Sequence, residues 1–157
     1  MKVYTLIRTQ VLPISITEAW EFFSSPKNLE KITPSKMNFR ILHISGGDKA
    51  YPGQIIRYKV KALPLISVTW VTEITYVQEP HYFVDDQRVG PFAIWHHQHS
   101  FREVENGVEM TDEVTYGIPF GPLGTLAHWL FVKRDLNTIF NYRYEVLERY
   151  FNKRTNA

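Results

Sequence analysis

Two histidines and one aspartate are the residues of this chain whose types and spacing could do chemistry. His97 and His99 stand two positions apart in a β-rich stretch, so both imidazoles point to one face of a strand. Asp112 falls on the same face of the next predicted strand, among apolar residues. A carboxylate beside an imidazole fixes its tautomer and raises its pKa. The group is therefore either a polar anchor or general base in an apolar pocket, or a mutually satisfied hydrogen-bond cluster that never meets a ligand.

The turn between these strands predicts how they pair. Asn106-Gly107 is a type I′ hairpin signal, because both central positions of that turn require positive φ. With these two residues at the centre, Phe101 faces Asp112, and Asp112 becomes the diagonal neighbour of His99. No recognisable nucleophile stands beside the group, so the sequence assigns no catalytic residue.

Metal binding is a further chemistry that this spacing allows. Two imidazoles on one side of a strand occur in some zinc sites. Asp112 would have to supply the third ligand, because His96 points to the opposite face. On this set of residues we predict no metal and no cofactor.

Asp85 and Gln87 form a second polar pair on a mixed strand face. They share one face of the predicted strand that precedes the histidines with Phe83 and Val89. Such groups serve either as hydrogen-bonding partners inside a pocket or as solvated residues near a strand edge. Both remain candidates for binding a ligand.

The amino-acid composition argues against several classes of function for this chain. The 157 residues suit one domain, residues 1–157, that buries about two-thirds of its unfolded surface. Its 18 basic and 16 acidic residues are interspersed, so we expect no nucleic-acid partner. The absence of cysteine excludes disulfides and thiolate metal sites. No apolar run approaches the ~20 residues of a membrane span, so we expect no integral membrane segment and a soluble cytoplasmic protein.

Hydrophobic alternation predicts the strands that carry these residues. Strands are expected over 3–12, 37–44, 53–61, 66–77, 82–89 and 93–104, followed by the last strand of the hairpin. In the strand over 66–77, Trp70, Ile74 and Tyr76 should point inward. Ser15 and Glu18 have capping-box spacing and predict a short helix from about residue 16 to 24. A second short helix should begin at Pro26.

A long helix near the C-terminus should close the structure. Between residues 123 and 151, apolar side chains recur at three- and four-residue steps: Leu126, Trp129, Leu130, Val132, Leu136, Ile139, Phe140, Val146, Leu147 and Tyr150. The interleaved charges, Arg143 and Glu145 among them, predict a solvated face. Since the stripe needs a curved apolar surface, we expect a sheet that curls around the helix and leaves a cavity.

Local strings in this order resemble the SRPBCC superfamily, the helix-grip domains that include START lipid-transfer proteins, plant pathogenesis-related allergens and polyketide cyclases. The resemblance covers essentially the whole chain. It is carried by residues 22–29, 32–34, 90–92, 95–101 and 112–116, with Pro119 and Gly121.

The resemblance implies an α+β helix-grip fold, a curved seven-stranded antiparallel sheet around a long C-terminal helix, with two short helices after the first strand. It also implies a START-like domain that binds or transports a small hydrophobic ligand, such as a lipid, quinone, polyketide or steroid-like molecule. The predicted ligand-binding residues are Tyr58, Trp70, Asp85, Gln87, Trp95, His97, His99, Phe101, Asp112, Tyr116 and Phe140.

No reaction follows from the resemblance, because one fold hosts many functions. Ligand binding is therefore preferred to catalysis. Two alternatives stay open: a cofactor-free polyketide cyclase, dehydrase or hydrolase working in the same cavity, and an interaction module whose core is filled by its own side chains.

Overall fold

The structure is a computed structural model that describes residues 1–63 and 66–155. Within these residues one antiparallel sheet has the spatial order β1-β7-β6-β5-β4-β3-β2. Its strands are β1 Val3–Leu12, β2 Arg40–Ile44, β3 Gln54–Leu63, β4 Ile66–Gln78, β5 Tyr82–Val89, β6 Ile94–Val104 and β7 Gly107–Gly117. A long C-terminal helix packs on this sheet, so the predicted helix-grip architecture is confirmed.

Two short helical segments follow β1, as predicted. The first is α1, Ile16–Phe23, and the Ser15 side chain accepts a hydrogen bond from the Glu18 amide at 3.2 Å. The second, Pro26–Ile32, has 3₁₀ geometry. From α1, the buried Trp20 meets Phe83 of β5 edge-on at a ring-centroid distance of 5.9 Å. The first helix is thereby packed against the sheet.

The strand predicted over 37–44 begins later, at Arg40. Ser35–Met37 form a short 3₁₀ turn, and Asn38 then adopts a left-handed conformation with φ 44°. Because an extended strand cannot pass through such a residue, pairing with β3 starts only after it.

The prediction that Tyr76 points inward is wrong. The pairing of β4 with β5 shifts register between Ile74 and Tyr76, and the extra residue reverses the side-chain alternation. Tyr76 is half exposed and stacks on Tyr82 with ring centroids 5.0 Å apart. Val77 packs against the core in its place.

The register predicted for the β6–β7 hairpin is wrong by two residues. The turn is centred on residues 105–106, and Gly107 is already the first residue of β7. His99 therefore faces Asp112 directly rather than diagonally. A two-residue shift keeps every side chain on its predicted face. Gly107 is needed in β7 because a Cβ there would lie 2.0 Å from the Leu12 carbonyl oxygen.

The closing helix spans residues 121–155 in three continuous segments, α2 Gly121–Ala127, a π-helical turn His128–Val132 and α3 Lys133–Thr155. In α3 the predicted stripe is buried at Leu136, Phe140 and Leu147. No described helix combines the length and apolar character needed to cross a membrane.

The first part of the predicted stripe is not buried. Leu126, Trp129 and Leu130 are 52%, 76% and 43% exposed. A π-helical turn takes an extra residue, so it changes the angular phase of the side chains that precede α3. The three- and four-residue spacing therefore does not continue as one buried face across this turn.

Candidate ligand-binding site

A cavity of about 450 Å³ lies between the sheet and the closing helix. Its volume falls within the range of about 300–1,000 Å³ that is typical of small-molecule pockets. The walls are mainly apolar and aromatic. They include Leu29, Ile32, Phe39, Ile56, Tyr58, Val60, Val68, Trp70, Phe83, Phe92, Trp95, Leu136, Ile139 and Phe140.

Three hydrogen-bonding residues, Asp85, His97 and His99, interrupt this apolar wall at one region of the sheet, and Asp112 lies behind the two histidines. Asp112 Oδ1 accepts hydrogen bonds from His97 Nε2 at 2.8 Å and from His99 Nδ1 at 3.0 Å. His99 Nε2 donates to Asp85 Oδ2 at 2.7 Å, whereas His97 Nδ1 lies 3.5 Å from that oxygen. The two imidazole centroids are 3.7 Å apart. Asp85 comes from β5, so three neighbouring strands contribute to one cluster, the Asp85–His97–His99–Asp112 cluster.

Charges within this cluster follow from its contacts. Burial works to raise the pKa of Asp112, but hydrogen bonds from both histidines and the nearby Arg143 hold it well below its usual value. Burial similarly opposes ionisation of Asp85, and the His99 hydrogen bond still lowers its pKa. The pKa values of the two histidines shift in opposite directions. Burial and the charge of His99 lower the pKa of His97, whereas hydrogen bonds to both carboxylates raise the pKa of His99 in spite of burial.

Arg143 is the fifth member of this region and comes from α3. Its guanidinium lies over the Phe140 ring at 4.9 Å, and its Nη1 is 3.6 Å from Asp112 Oδ2. The side chain is 9% exposed and lines the cavity. The predicted solvated position of Arg143 is therefore wrong. Its place one helical turn from Phe140 and from Leu147, inside the apolar stripe, was the signal that it faces inward.

Three residues of the cavity wall each carry a buried polar atom that has no hydrogen-bond partner among the described residues. The atoms are Ser24 Oγ, Trp70 Nε1 and Arg143 Nε. Trp70 Nε1 and Arg143 Nε can only donate. A buried donor left unpaired is costly, which makes these two groups ready partners for the acceptor atoms of a bound molecule.

The predicted ligand-binding residues divide into two sets. Seven line the cavity: Tyr58, Trp70, Asp85, Trp95, His97, His99 and Phe140. The other four, Gln87, Phe101, Asp112 and Tyr116, lie outside its lining. Asp112 stands behind the two histidines, and Phe101 belongs to the core beneath α1.

Gln87 and Tyr116 are both engaged elsewhere. Gln87 donates to the Phe92 carbonyl at 2.6 Å and accepts from the Phe92 amide at 3.2 Å, so it holds the loop before β6. The Tyr116 hydroxyl is 2.9 Å from His128 Nε2, and the Tyr4 ring stacks on His128 with centroids 3.5 Å apart. Tyr116 therefore ties β7 to the π-helical turn.

Of the described residues, Asp85, His97 and His99 are the set that could hold a metal ion, with ligand atoms all within 4.8 Å of one another. Sequence reasoning paired the histidines with Asp112 instead. The contribution of Asp85 depends on the β5–β6 register, in which Asp85 pairs with His97.

Comparison with solved structures identifies the architecture. The di-domain ARO/CYC protein BexL from the BE-7585A biosynthetic pathway superposes with a TM-score of 0.71 at 15% identity, over 95% of this chain and 50% of that one. A protein from Rhodobacter sphaeroides gives 0.69 at 14% identity, over 95% and 93%. Ara h 8.0201 gives 0.60 at 14% identity, over 93% and 98%.

The chain has the helix-grip fold of these solved structures. Identities this low carry the fold and no activity. A scan against protein-family models and a search of curated proteins each find no match. The helix-grip cavity and the polar cluster beside it are therefore the features that bear on function.

Proposed function

We propose that the chain is a single START-like domain that binds or carries a small hydrophobic ligand in the central cavity. The ligand has an apolar body of the lipid, quinone, polyketide or steroid type. Its polar end carries hydrogen-bond acceptors and lies near Arg143 and the histidines.

The observation that carries this proposal is an apolar cavity that contains buried donors without partners. Trp70 and Arg143 line the wall, and Trp70 Nε1 and Arg143 Nε are buried and meet no acceptor among the described residues. An acceptor-bearing ligand would pair them and would also remove the apolar wall from water. The fold shared with ARO/CYC proteins of two biosynthetic pathways supports a polyketide as one form of this class.

A second candidate is a cofactor-free cyclase or dehydrase. His97 favours it, because this lining residue donates through Nε2 to Asp112, which leaves its Nδ1, 3.5 Å from Asp85 Oδ2, as an acceptor. A base in that position could remove a proton from a bound polyketide. Turnover of model polyketides that disappears in folded His97→Gln would favour this candidate over carriage.

Filling the cavity should remove the retained ligand. Ile139 lines the cavity, whereas its neighbour Thr138 is exposed on the same helix. We expect native mass spectrometry of protein purified without detergent to show a bound small molecule in the wild type and in Thr138→Trp. Ile139→Trp should lose most of it, because the indole occupies the same volume. Retention that is equal in both variants, or absent in the wild type after loading with fatty acids and quinones, would contradict the proposal.

Arg143 should select ligands with an acidic end. We expect cis-parinarate, a fluorescent fatty carboxylate, to bind about tenfold or more tightly than its methyl ester, the ~1.4 kcal/mol of one charge-assisted contact. In Arg143→Met the ratio of the two affinities, measured by fluorescence titration, should fall close to one.

The matched control for this measurement is Arg134→Met. The Arg134 side chain is 75% exposed at the start of α3 and its loss should leave the ratio unchanged. Circular dichroism would establish that both variants fold. If the wild type binds acid and ester equally, Arg143 does not hold an acidic group, whatever the variants do.

A further inference from the structure

Three metal-ligating side chains converge on the cavity side of the cluster. Asp85 Oδ2 is 2.7 Å from His99 Nε2 and 3.5 Å from His97 Nδ1. All three residues line the cavity. Ligands bound at about 2.1 Å in tetrahedral or octahedral geometry stand roughly 3.0–3.4 Å apart, and the two observed separations bracket that range.

Asp112 lies on the side of the two imidazoles that faces away from the cavity and binds their second nitrogens. Its Oδ1 accepts from His97 Nε2 at 2.8 Å and from His99 Nδ1 at 3.0 Å, so one carboxylate oxygen orients both imidazoles. Metal-binding histidines commonly donate their second ring N–H to a carboxylate in this way. Asp112 is 2% exposed and does not line the cavity, which suits a supporting group rather than a ligand.

This orientation of the two imidazoles brings three acceptor atoms together: His97 Nδ1, His99 Nε2 and Asp85 Oδ2. With both second nitrogens donating to Asp112, His97 Nδ1 and a neutral His99 Nε2 present lone pairs toward the carboxylate of Asp85. One proton on His99 satisfies the contact with Asp85, but it leaves His97 Nδ1 facing that oxygen at 3.5 Å without a hydrogen between them. A divalent cation would satisfy all three atoms at once.

We propose that Asp85, His97 and His99 bind a divalent transition metal of the zinc type, with Asp112 as the carboxylate that orients both imidazoles. Two imidazoles and one carboxylate are a ligand set suited to such ions. Three protein ligands leave the side toward the cavity open for a further donor. The proposal does not require an organic ligand, because the three side chains come from the chain itself.

The outer face of the same strands supplies a matched control. His96 Nδ1 lies 2.8 Å from Asp86 Oδ1, and this pair is one position along from the proposed ligands but points away from the cavity. Adventitious zinc binding by a surface His–Asp pair would use this face. Binding at the proposed site would not depend on it.

Zinc titration of the full, tag-free chain tests the site. After treatment with a chelator, calorimetry should show one Zn²⁺ bound per chain, and His96→Gln with Asp86→Asn should leave the affinity within about twofold. Asp112→Asn should weaken binding about 10–100-fold, the effect usual for a group that supports a ligand. Asp85→Asn, which keeps the side-chain shape, should weaken it further.

X-ray absorption of the zinc-loaded wild type keeps the test independent of how the variants fold. A spectrum with two imidazoles in the first coordination sphere supports the site. No imidazole in that sphere, or loss of binding only in the outer-face variants, would overturn it. A protein that binds zinc but retains no organic ligand would contradict the proposed function and leave the metal site standing.

Discussion

Replacing Asp112 with alanine should lower the free energy of unfolding by about 3–5 kcal/mol, the loss usual when one partner of a buried charged pair is removed. Asp112 accepts from both His97 and His99, and Arg143 lies beside its other oxygen. The substitution therefore removes the acceptor of one nitrogen in each imidazole and the carboxylate beside the Arg143 guanidinium, and leaves Asp85 as the remaining partner of His99. Urea unfolding followed by circular dichroism measures the loss.

Water cannot take the place of the Asp112 carboxylate. For that reason the expected loss of free energy of unfolding in Asp112→Ala is large. The carboxylate is 2% exposed and lies outside the cavity lining, so neither bulk solvent nor water in the cavity reaches its position. Had it faced the open cavity, a water molecule could have replaced it at little cost. Asp112→Asn keeps an acceptor oxygen and should cost less than Asp112→Ala.

His96→Ala is the control for this measurement, because His96 pairs with Asp86 on the outer face of the same strands. The His96 side chain is half exposed, and exposed ion pairs contribute less than about 1 kcal/mol. A loss below about 1 kcal/mol for Asp112→Ala as well would show that the cluster relaxes or hydrates, and would remove the argument that Asp112 is structural support.

The sequence predicted secondary-structure elements well where the signal, such as a helix cap or strand alternation, depends on residues close together in the chain. The Ser15 and Glu18 spacing predicted the start of α1 because a cap is completed within one turn. Alternation in β3, in β6 and in β4 as far as Ile74 predicted which side chains point inward, so Tyr58, Trp70 and His97 were placed on the cavity wall. The face to which each side chain points was predicted correctly in the β6–β7 hairpin even though the register was wrong, because a shift of two residues leaves every side chain on the same face.

Contacts that depend on several elements at once were not predictable. Asp85 reaches His99 only through the β5–β6 register, and no tight-turn motif in the sequence fixes that pairing. Arg143 looked like one of many helix cations, since the sequence shows its charge but not the buried Asp112 that compensates it. Trp129 matched the spacing of the helix stripe, and only the π-helical turn explains its exposure.

The observed hairpin register explains why residue 107 is a glycine. Its φ is 134°, in a region that side-chain-bearing residues avoid, and a Cβ would stand 2.0 Å from the Leu12 carbonyl oxygen. Gly107→Ala should therefore destabilise the protein by on the order of 3 kcal/mol, from backbone strain together with the displacement of β1.

Two other substitutions separate this explanation from the turn that the sequence suggested. In a type I′ turn centred on 106–107, Asn106 would also need positive φ, but it is not among the described residues with positive φ. A Cβ at Gly47 would meet nothing within 4 Å. Asn106→Ala and Gly47→Ala should each change the free energy of unfolding by less than about 0.5 kcal/mol. If Asn106→Ala is as damaging as Gly107→Ala, the turn is centred on 106–107, Phe101 faces Asp112, and the direct pairing of His99 with Asp112 is lost.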